Sequence, residues 1–261
     1  MAAFVAQRID MGEKEWYVSP GTVKAALAPR KRPEPTRESA AGDGMPKQRI
    51  CPADGIPGAV TEPCVRENIK DCVISGQQTL SELESAVCGC LRCPLGSTRK
   101  SFVFGDGDPA ADIMFVGEAP GADEDTQGKP FVGRAGKLLT DMIFAMKLRR
   151  EDVFIGNILK CRPPNNRDPK PEEIEKCEPI LIRQIEIIKP RIICALGRIA
   201  GQTLLRTKAS LGALREKFHD YHGVKLIVTY HPAALLRNPH WKHPTWEDLK
   251  TLRREYDGLE L

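Results

Sequence analysis

Residues 113–136 read IMFVGEAPGADEDTQGKPFVGRAG, a short apolar run that passes directly into a loop rich in glycine, proline and acidic residues. Further short apolar runs follow along the chain: VFIGNI (153–158), RIICAL (191–196) and KLIVTY (225–230). Helical patterns alternate with them, at about 79–88, 133–147, 171–189, 198–206 and 244–258. Strands that are apolar on both faces and alternate with helices predict an α/β fold with three αβα layers around a central, mainly parallel four-stranded sheet.

Polar residues and glycines fall at the ends of the predicted strands. Gly117 and Glu118 end the first strand, and Asn157, Gly197 and His231 stand at or just beyond the ends of the other three. In an open parallel sheet the carboxyl ends of the strands form the edge at which ligands bind. We therefore expect these residues to line one crevice.

Four cysteines flank this region in the pattern C-x2-C, a gap of 67 residues, and C-x15-C. They are Cys90, Cys93, Cys161 and Cys177, with Cys88 as an alternative to Cys90. Four thiolates bind either an iron–sulfur cluster or structural zinc. Because zinc sites usually pair two tight knuckles, the wide second spacing favours a 4Fe–4S cluster, and zinc remains the alternative. Cys194 lies inside an apolar run and is expected in the core.

The composition of the chain limits its possible partners, compartment and domain organisation. It has 261 residues, a net charge of +4 and nine cysteines, so nucleic acid is permitted as a partner but not required. No apolar run is long enough for a signal peptide or a membrane span, which predicts a reducing compartment such as the cytoplasm. The protein is also expected to be a monomer. Residues 1–78 are rich in Pro, Gly and charge and are expected to form a weakly ordered arm before a domain at 79–261. The Arg30–Lys31–Arg32 cluster in the arm is a solvated linker or a phosphate contact.

The loop after the first strand carries the acidic residues Glu118, Asp123, Glu124 and Asp125. So many carboxylates would repel a phosphate, which argues against a nucleoside triphosphate site. Phe131 in the same loop either fills the core or provides a stacking platform for a flat ring.

Two further stretches hold candidate binding groups. The Asn157 amide offers an acceptor and donors that match the edge of a nucleobase, although an Asn at a strand end is often only a cap. His231 enters a Pro-stiffened loop and is placed to donate a hydrogen bond to a developing anion. Leu235 and Leu236, followed by Arg237, suit a wedge in a base stack with a cation on the DNA backbone.

Together these motifs resemble the family 4 uracil-DNA glycosylases. The resemblance rests on GEAPG followed by Glu124, GKPFVGRAG, GNILKCRPPNNRDP, HPAALLR and the four-cysteine signature, and it covers about residues 80–258. Two positions depart from the pattern. Ala233 stands where the family commonly has Ser, and Ala119 stands where better-studied glycosylase relatives have Asp. The stretch after the second strand, LKCRPPNNRDPKPEE, lacks the basic insert of relatives that trap uracil covalently, so hydrolysis is expected.

The resemblance implies a DNA-repair enzyme that flips uracil out of single- or double-stranded DNA and hydrolyses its glycosidic bond. It implies that Phe131 stacks on uracil, that Asn157 reads its edge, and that His231 stabilises the leaving anion. Gly117 and Ala119 also line the pocket, and Glu118 and Glu124 orient water or stabilise the sugar cation. A structural 4Fe–4S cluster is expected to hold loops whose basic residues face DNA, namely Arg92, Arg99, Lys160 and Arg162. Two alternatives stay open: a non-catalytic nucleic-acid-binding protein, and a hydrolase that acts on nucleosides or on other deaminated bases.

Overall fold

A computed structural model describes residues 73–259. Most of the expected arm, including Arg30–Lys31–Arg32, lies outside the described residues. Residues 73–78 belong to the folded domain, because Ile74 is buried and the Gln77 carbonyl accepts hydrogen bonds from Arg183. These residues therefore pack against the domain that the sequence predicts from residue 79 onward. No helix within the described part is both long and apolar enough to cross a bilayer.

The sheet has six strands in the order β1-β3-β2-β4-β6-β5. They are β1 (Asp106–Gly107), β2 (Ile113–Gly117), β3 (Phe154–Asn157), β4 (Ile192–Leu196), β5 (Phe218–Tyr221) and β6 (Val224–Thr229). The four inner strands are parallel and are those predicted from the apolar runs. The prediction of four strands is nevertheless wrong, because β1 and β5 add antiparallel edges. Neither has an apolar run: β1 is two residues long, and β5 pairs with β6 as a hairpin through a turn at His222 and Gly223, both with positive φ.

Helices cover both faces of the sheet. They are α1 (Leu80–Val87), α2 (Ala122–Gln127), α3 (Arg134–Ala145), α4 (Pro171–Ile188), α5 (Arg198–Leu204), α6 (Leu211–Leu214), α7 (Pro232–Arg237) and α8 (Lys242–Gly258). The five predicted helices are confirmed, and the unpredicted ones, α2, α6 and α7, have six residues or fewer. Short helices leave little periodicity in the sequence.

The buried side chains of each inner strand alternate between two cores. Met114 and Val116 pack in one core with α4 and α5, whereas Ile113 and Phe115 pack in the other with α3 and α8. Cys194 is fully buried in the second core, as predicted. A third, smaller core joins α1 to α4 and contains Leu83 and Ile180. This arrangement brings the ends of β2, β3 and β6 to the same edge of the sheet.

Candidate functional site

Gly117, the last residue of β2, lies between two of the predicted site residues. A Cβ atom at this position would lie 2.3 Å from the Oδ1 atom of Asn157 and 2.7 Å from the Cζ atom of Phe131. Asn157 is 2 % exposed, and its Oδ1 atom has no hydrogen-bond partner among the described residues. A buried amide oxygen without a partner is costly, so such a group is often completed by a ligand. The residues expected from β2 and β3 are therefore in contact.

The Phe131 ring is held in place by an unusual backbone conformation. Phe131 has a φ of 52°, which non-glycine residues seldom adopt. Arg150 supports this turn by donating hydrogen bonds to the carbonyls of Pro130, at 2.6 Å, and Phe131, at 3.3 Å. Gly136 makes room for it, since a Cβ atom there would lie 1.9 Å from the Phe131 carbonyl oxygen. Sequence reasoning missed Arg150, because nothing in the sequence links it to a loop about 20 residues upstream.

His231 lies two residues beyond the end of β6, and its ring centroid is 5.5 Å from that of Phe131 at an interplanar angle of 31°. Its Nδ1 atom accepts a hydrogen bond from the Ala233 backbone N–H at 3.1 Å. Because Nδ1 is an acceptor, the neutral ring carries its proton on Nε2. Burial, with a smaller effect from the Arg237 guanidinium, lowers the pKa of His231 to about 4. The imidazole is therefore neutral near pH 7 and can act as a hydrogen-bond donor through Nε2.

Glu124 holds the loop that carries Phe131. One of its carboxylate oxygens accepts from the backbone N–H groups of Val132 and Gly133, each at 3.0 Å. The other accepts from the Gly121 N–H at 3.1 Å. These three donors occupy both oxygens, so the geometry makes Glu124 a positioning residue and does not support its expected role in orienting water. Asp125 has a similar function, since it is buried and accepts from the N–H of Lys100.

Glu118 differs from Glu124 because no backbone donor is found at its carboxylate among the described hydrogen bonds. Burial raises the pKa of Glu118 to about 7, with a further increase from Asp168 and an opposing effect from Arg198. Asp168 and Arg198 form an exposed ion pair at 3.1 Å. The sequence indicated neither as a neighbour of Glu118, because they come from separate segments. Glu118 is thus a carboxyl group that changes charge near neutral pH.

The four predicted cysteines come together at one end of the domain. Cys90 and Cys93 follow α1, Cys161 follows β3, and Cys177 lies on α4. Cys90 and Cys93 contribute to the raised pKa of Cys161, and Cys161 and Cys90 contribute to that of Cys177, so the four thiols are neighbours. Cys88 is absent from these interactions, and its thiol contacts the Ser85 carbonyl.

The surroundings of the thiols suit a negatively charged group. An Arg99 N–H lies 3.4 Å from the sulfur of Cys161, and the Lys160 backbone N–H donates to the sulfur of Cys177 at 3.3 Å. Within residues 73–259, no three His, Cys, Asp or Glu side chains are arranged to hold one metal ion. Four thiols with N–H donors beside two of them are a donor set that an iron–sulfur cluster or structural zinc can use.

Several expectations about DNA contacts are wrong. Leu235 is fully buried in the core beside α3 and α8, so it cannot be part of a wedge, whereas Leu236 is 40 % exposed and Arg237 is exposed beside it. Lys160 is also fully buried, and its ammonium group donates to the Asn157 carbonyl at 2.8 Å and to Gln184 at 2.6 Å. Arg99 donates to the carbonyls of Cys88 and Cys90. Lys160 and Arg99 therefore support the pocket and the cysteine loops and do not face DNA.

Comparison with known proteins assigns a class to this fold and site. The sequence model of the Uracil DNA glycosylase superfamily matches residues 104–250, which include β2, β3, β6 and the whole pocket. The chain is 45 % identical over 183 residues to a type-4 uracil-DNA glycosylase of Archaeoglobus fulgidus, which covers 67 % of this chain and 92 % of the relative.

Type-4 and type-5 uracil-DNA glycosylases differ in their identity to this chain. A type-4 uracil-DNA glycosylase of Saccharolobus solfataricus is 50 % identical over 173 residues, which cover 63 % of this chain and 80 % of the relative. A type-5 uracil-DNA glycosylase of Pyrobaculum aerophilum is 33 % identical over 149 residues, or 49 % of this chain and 64 % of the relative. The chain belongs to the type-4 uracil-DNA glycosylases.

Proposed function

We propose that this protein is a DNA-repair glycosylase that flips uracil out of DNA and hydrolyses its N-glycosidic bond, which leaves an abasic site. One observation carries the proposal: the unpartnered Asn157 amide oxygen and the Phe131 ring both border the bare backbone of Gly117. An aromatic ring next to an unsatisfied amide matches a flipped base, which needs a stacking face and a hydrogen-bonded edge.

Base identity follows from the amide of Asn157. Its Oδ1 atom accepts from the uracil N3–H, and its NH2 group donates to the uracil O4 atom. Cytosine presents an acceptor at N3 and a donor at C4, so it would place like groups against each other in a buried site. Phe131 stacks on the ring, while the missing side chain of Gly117 lets the Asn157 amide and the Phe131 ring approach the backbone, beside Ala119.

Bond cleavage needs stabilisation of the uracil anion as the glycosidic bond breaks. The Nε2–H group of His231 donates to the uracil O2 atom, where negative charge develops. The low pKa of His231 matters here, because the ring stays neutral and bonds to O2 without giving up its proton. Removal of one such donor in other enzymes costs roughly 10²- to 10³-fold in rate.

Glu118 is the residue that we assign to the attacking water and to the sugar cation. Its ionised form can accept a proton from water and can stabilise positive charge on the sugar. A pKa near 7 makes that form available from neutral pH upward. Glu124 acts indirectly, by holding the loop of Phe131.

The cysteines would hold a 4Fe–4S cluster through Cys90, Cys93, Cys161 and Cys177. Such a group supplies a structural link between α1 and the loops that follow β3. The chain's own residues perform the hydrolysis, which involves no electron transfer. Thiolate ligands and reduced cysteines suit a reducing compartment such as the cytoplasm. We also propose that the protein acts as a monomer on single- or double-stranded DNA.

The direct test is release of free uracil from a labelled oligonucleotide with one uracil, compared with the same oligonucleotide bearing cytosine. The Asn157→Asp variant should lose uracil release by a factor of about 10⁴, because a carboxylate replaces the donor to O4. Asn165→Asp is the matched control, since Asn165 is exposed. DNA binding without uracil release by the wild type would indicate a non-catalytic binding protein, and release only from nucleosides would indicate a nucleoside hydrolase.

A further inference from the structure

The corner between α7 and α8 exposes apolar side chains. Residues 236–241 are all exposed. Five large hydrophobic residues are exposed in the part of the chain that the structure describes, and two of them lie in this corner: Leu236, at 40 %, and Trp241, at 37 %. Large apolar side chains that cluster at a surface usually mark a contact site.

Trp241 is exposed but held in place. Its indole stacks on the Tyr230 ring with centroids 4.8 Å apart and an interplanar angle of 13°. The Arg215 guanidinium lies over the Tyr230 ring at 4.5 Å and forms a buried ion pair with Asp248 at 2.8 Å. A chain of contacts from the core therefore fixes the indole. A rigid aromatic ring loses little conformational entropy when it binds a partner.

The corner adjoins the pocket. Tyr230, on which Trp241 stacks, directly precedes His231 in the chain. Arg237, within the corner, is close enough for its charge to act on the His231 imidazole. A strand whose uracil enters the pocket therefore has this corner within reach.

The charge of the segment suits the backbone of DNA. Residues 230–246 contain no Asp or Glu, and they include Arg237, Lys242 and three of the five histidines of the protein. Proteins that bind single-stranded DNA combine such a cationic surface with aromatic rings on which bases stack. When uracil leaves the stack, the neighbouring base loses a stacking partner and exposes an aromatic face.

On the basis of the proposed function, we propose that Trp241 is a stacking platform for a base that flanks the flipped uracil in single-stranded DNA, with Arg237 and Lys242 along the adjoining phosphates. This platform is separate from Phe131, which stacks on the uracil itself. It contributes to binding of the strand and leaves the cleavage step to the pocket residues.

The test is single-turnover uracil release from a short single-stranded oligonucleotide at increasing protein concentration. Stacking on an aromatic residue is worth about 1–3 kcal/mol per base, so Trp241→Ala should raise the half-saturating concentration by about 5- to 150-fold. The maximal rate should stay nearly unchanged, and Trp241→Phe should retain most of the affinity. Phe144→Ala is the matched control, because Phe144 is an exposed aromatic residue on α3, at 42 %.

Oligonucleotides that lack one flanking base, on either side of the uracil, identify the contact. On the oligonucleotide without the contacted base, Trp241→Ala and the wild type should bind equally. Two results would contradict the proposal: the same loss of affinity in Trp241→Ala on every such oligonucleotide, or a loss of maximal rate on all of them. Either would mean that Trp241 acts through Tyr230 and His231. Wild-type affinity of Trp241→Ala for every substrate overturns the proposal as well.

A second measurement does not depend on catalysis. Titration with uracil-free single-stranded DNA should quench tryptophan fluorescence in the wild type and much less in Trp241→Phe. Equal quenching in the wild type and in Trp241→Phe would contradict base stacking on Trp241, even if uracil release is normal. Absence of uracil release with normal quenching would instead refute the proposed function alone.

Discussion

The substitution Gly117→Ala tests the pocket with the smallest possible change, one methyl group. The added Cβ atom would lie 2.3 Å from Oδ1 of Asn157 and 2.7 Å from Cζ of Phe131, whereas real Cβ contacts essentially never fall below 3.0 Å. The Asn157 amide would have to move by about 0.7 Å, and the Phe131 ring would have to move as well. Both side chains are buried, and their backbone carbonyls are held by Lys160 and Arg150, so each must move within a packed interior.

The expected result is a large loss of activity with a moderate loss of stability. Overpacking of a well-packed site costs about 1–3 kcal/mol in the free energy of unfolding. Misplacement of positioning groups by about 1 Å costs roughly 10²-fold in rate, so uracil release should slow by about that factor. Single-turnover release measures the rate, and urea unfolding followed by circular dichroism measures the stability.

Gly212→Ala is the matched control for the same chemical change. Nothing lies within 4 Å of a Cβ atom at this position, which is in α6 (Leu211–Leu214). Because alanine favours helices by up to about 1 kcal/mol over glycine, this variant should be fully active and as stable as the wild type or more so. A Gly117→Ala protein that releases uracil at the wild-type rate would refute the arrangement of Asn157 and Phe131 around Gly117.

Two further predictions concern Glu118 and the cysteines. The wild-type rate should rise with a midpoint near pH 7 as Glu118 ionises. Arg198→Ala removes a positive charge that favours the ionised form, so it should move the midpoint upward. Asp168→Asn removes a negative charge that disfavours the ionised form, so it should move the midpoint downward. A pH–rate profile measures both shifts, and identical midpoints in all three proteins would exclude Glu118 as the titrating group. Anaerobically purified protein should be brown and contain about four iron atoms per chain; stoichiometric zinc without iron in active protein would contradict the cluster.

The sequence predicted the parts of the fold that have strong periodicity. The four inner strands and the five longer helices each occupy a run long enough to show a pattern, and the polar residues at strand ends pointed to the correct edge of the sheet. β5 escaped prediction because its FHDY sequence has no apolar run, and its strand character comes from pairing with β6. Propensity alone cannot reveal such an edge strand.

The sequence predicted which residues lie at the site better than it predicted what each of them does there. Asn157 and Phe131 both border Gly117, and the His231 ring lies 5.5 Å from that of Phe131, but their expected roles toward uracil stay predictions. The roles of Lys160, Leu235 and Glu124 depend on which way each side chain points and on what surrounds it. Lys160 shows why the role of a residue is hard to predict. A lysine beside a cysteine is expected to be a surface cation, yet Gln184 on α4 and the Asn157 carbonyl provide acceptors that allow Lys160 to be buried.

The positions of the four cysteines determine which part of the domain should unfold first when the group that they bind is lost. Cys90 and Cys93 precede the sheet, and Cys161 and Cys177 follow strand β3, so a group bound by all four ties two distant parts of the chain together. A covalent tie across a loop of this length restricts the unfolded chain by an amount on the order of 4 kcal/mol in the chain-entropy description. Without that tie, the packing of α1 depends on the small core around Leu83 and Ile180 and on the contact of Leu80 with a larger core. If the four cysteines bind the proposed iron–sulfur cluster, oxidants that strip its iron should therefore loosen the N-terminal end of the domain first, while the base pocket, built on the interior of the sheet, outlasts it.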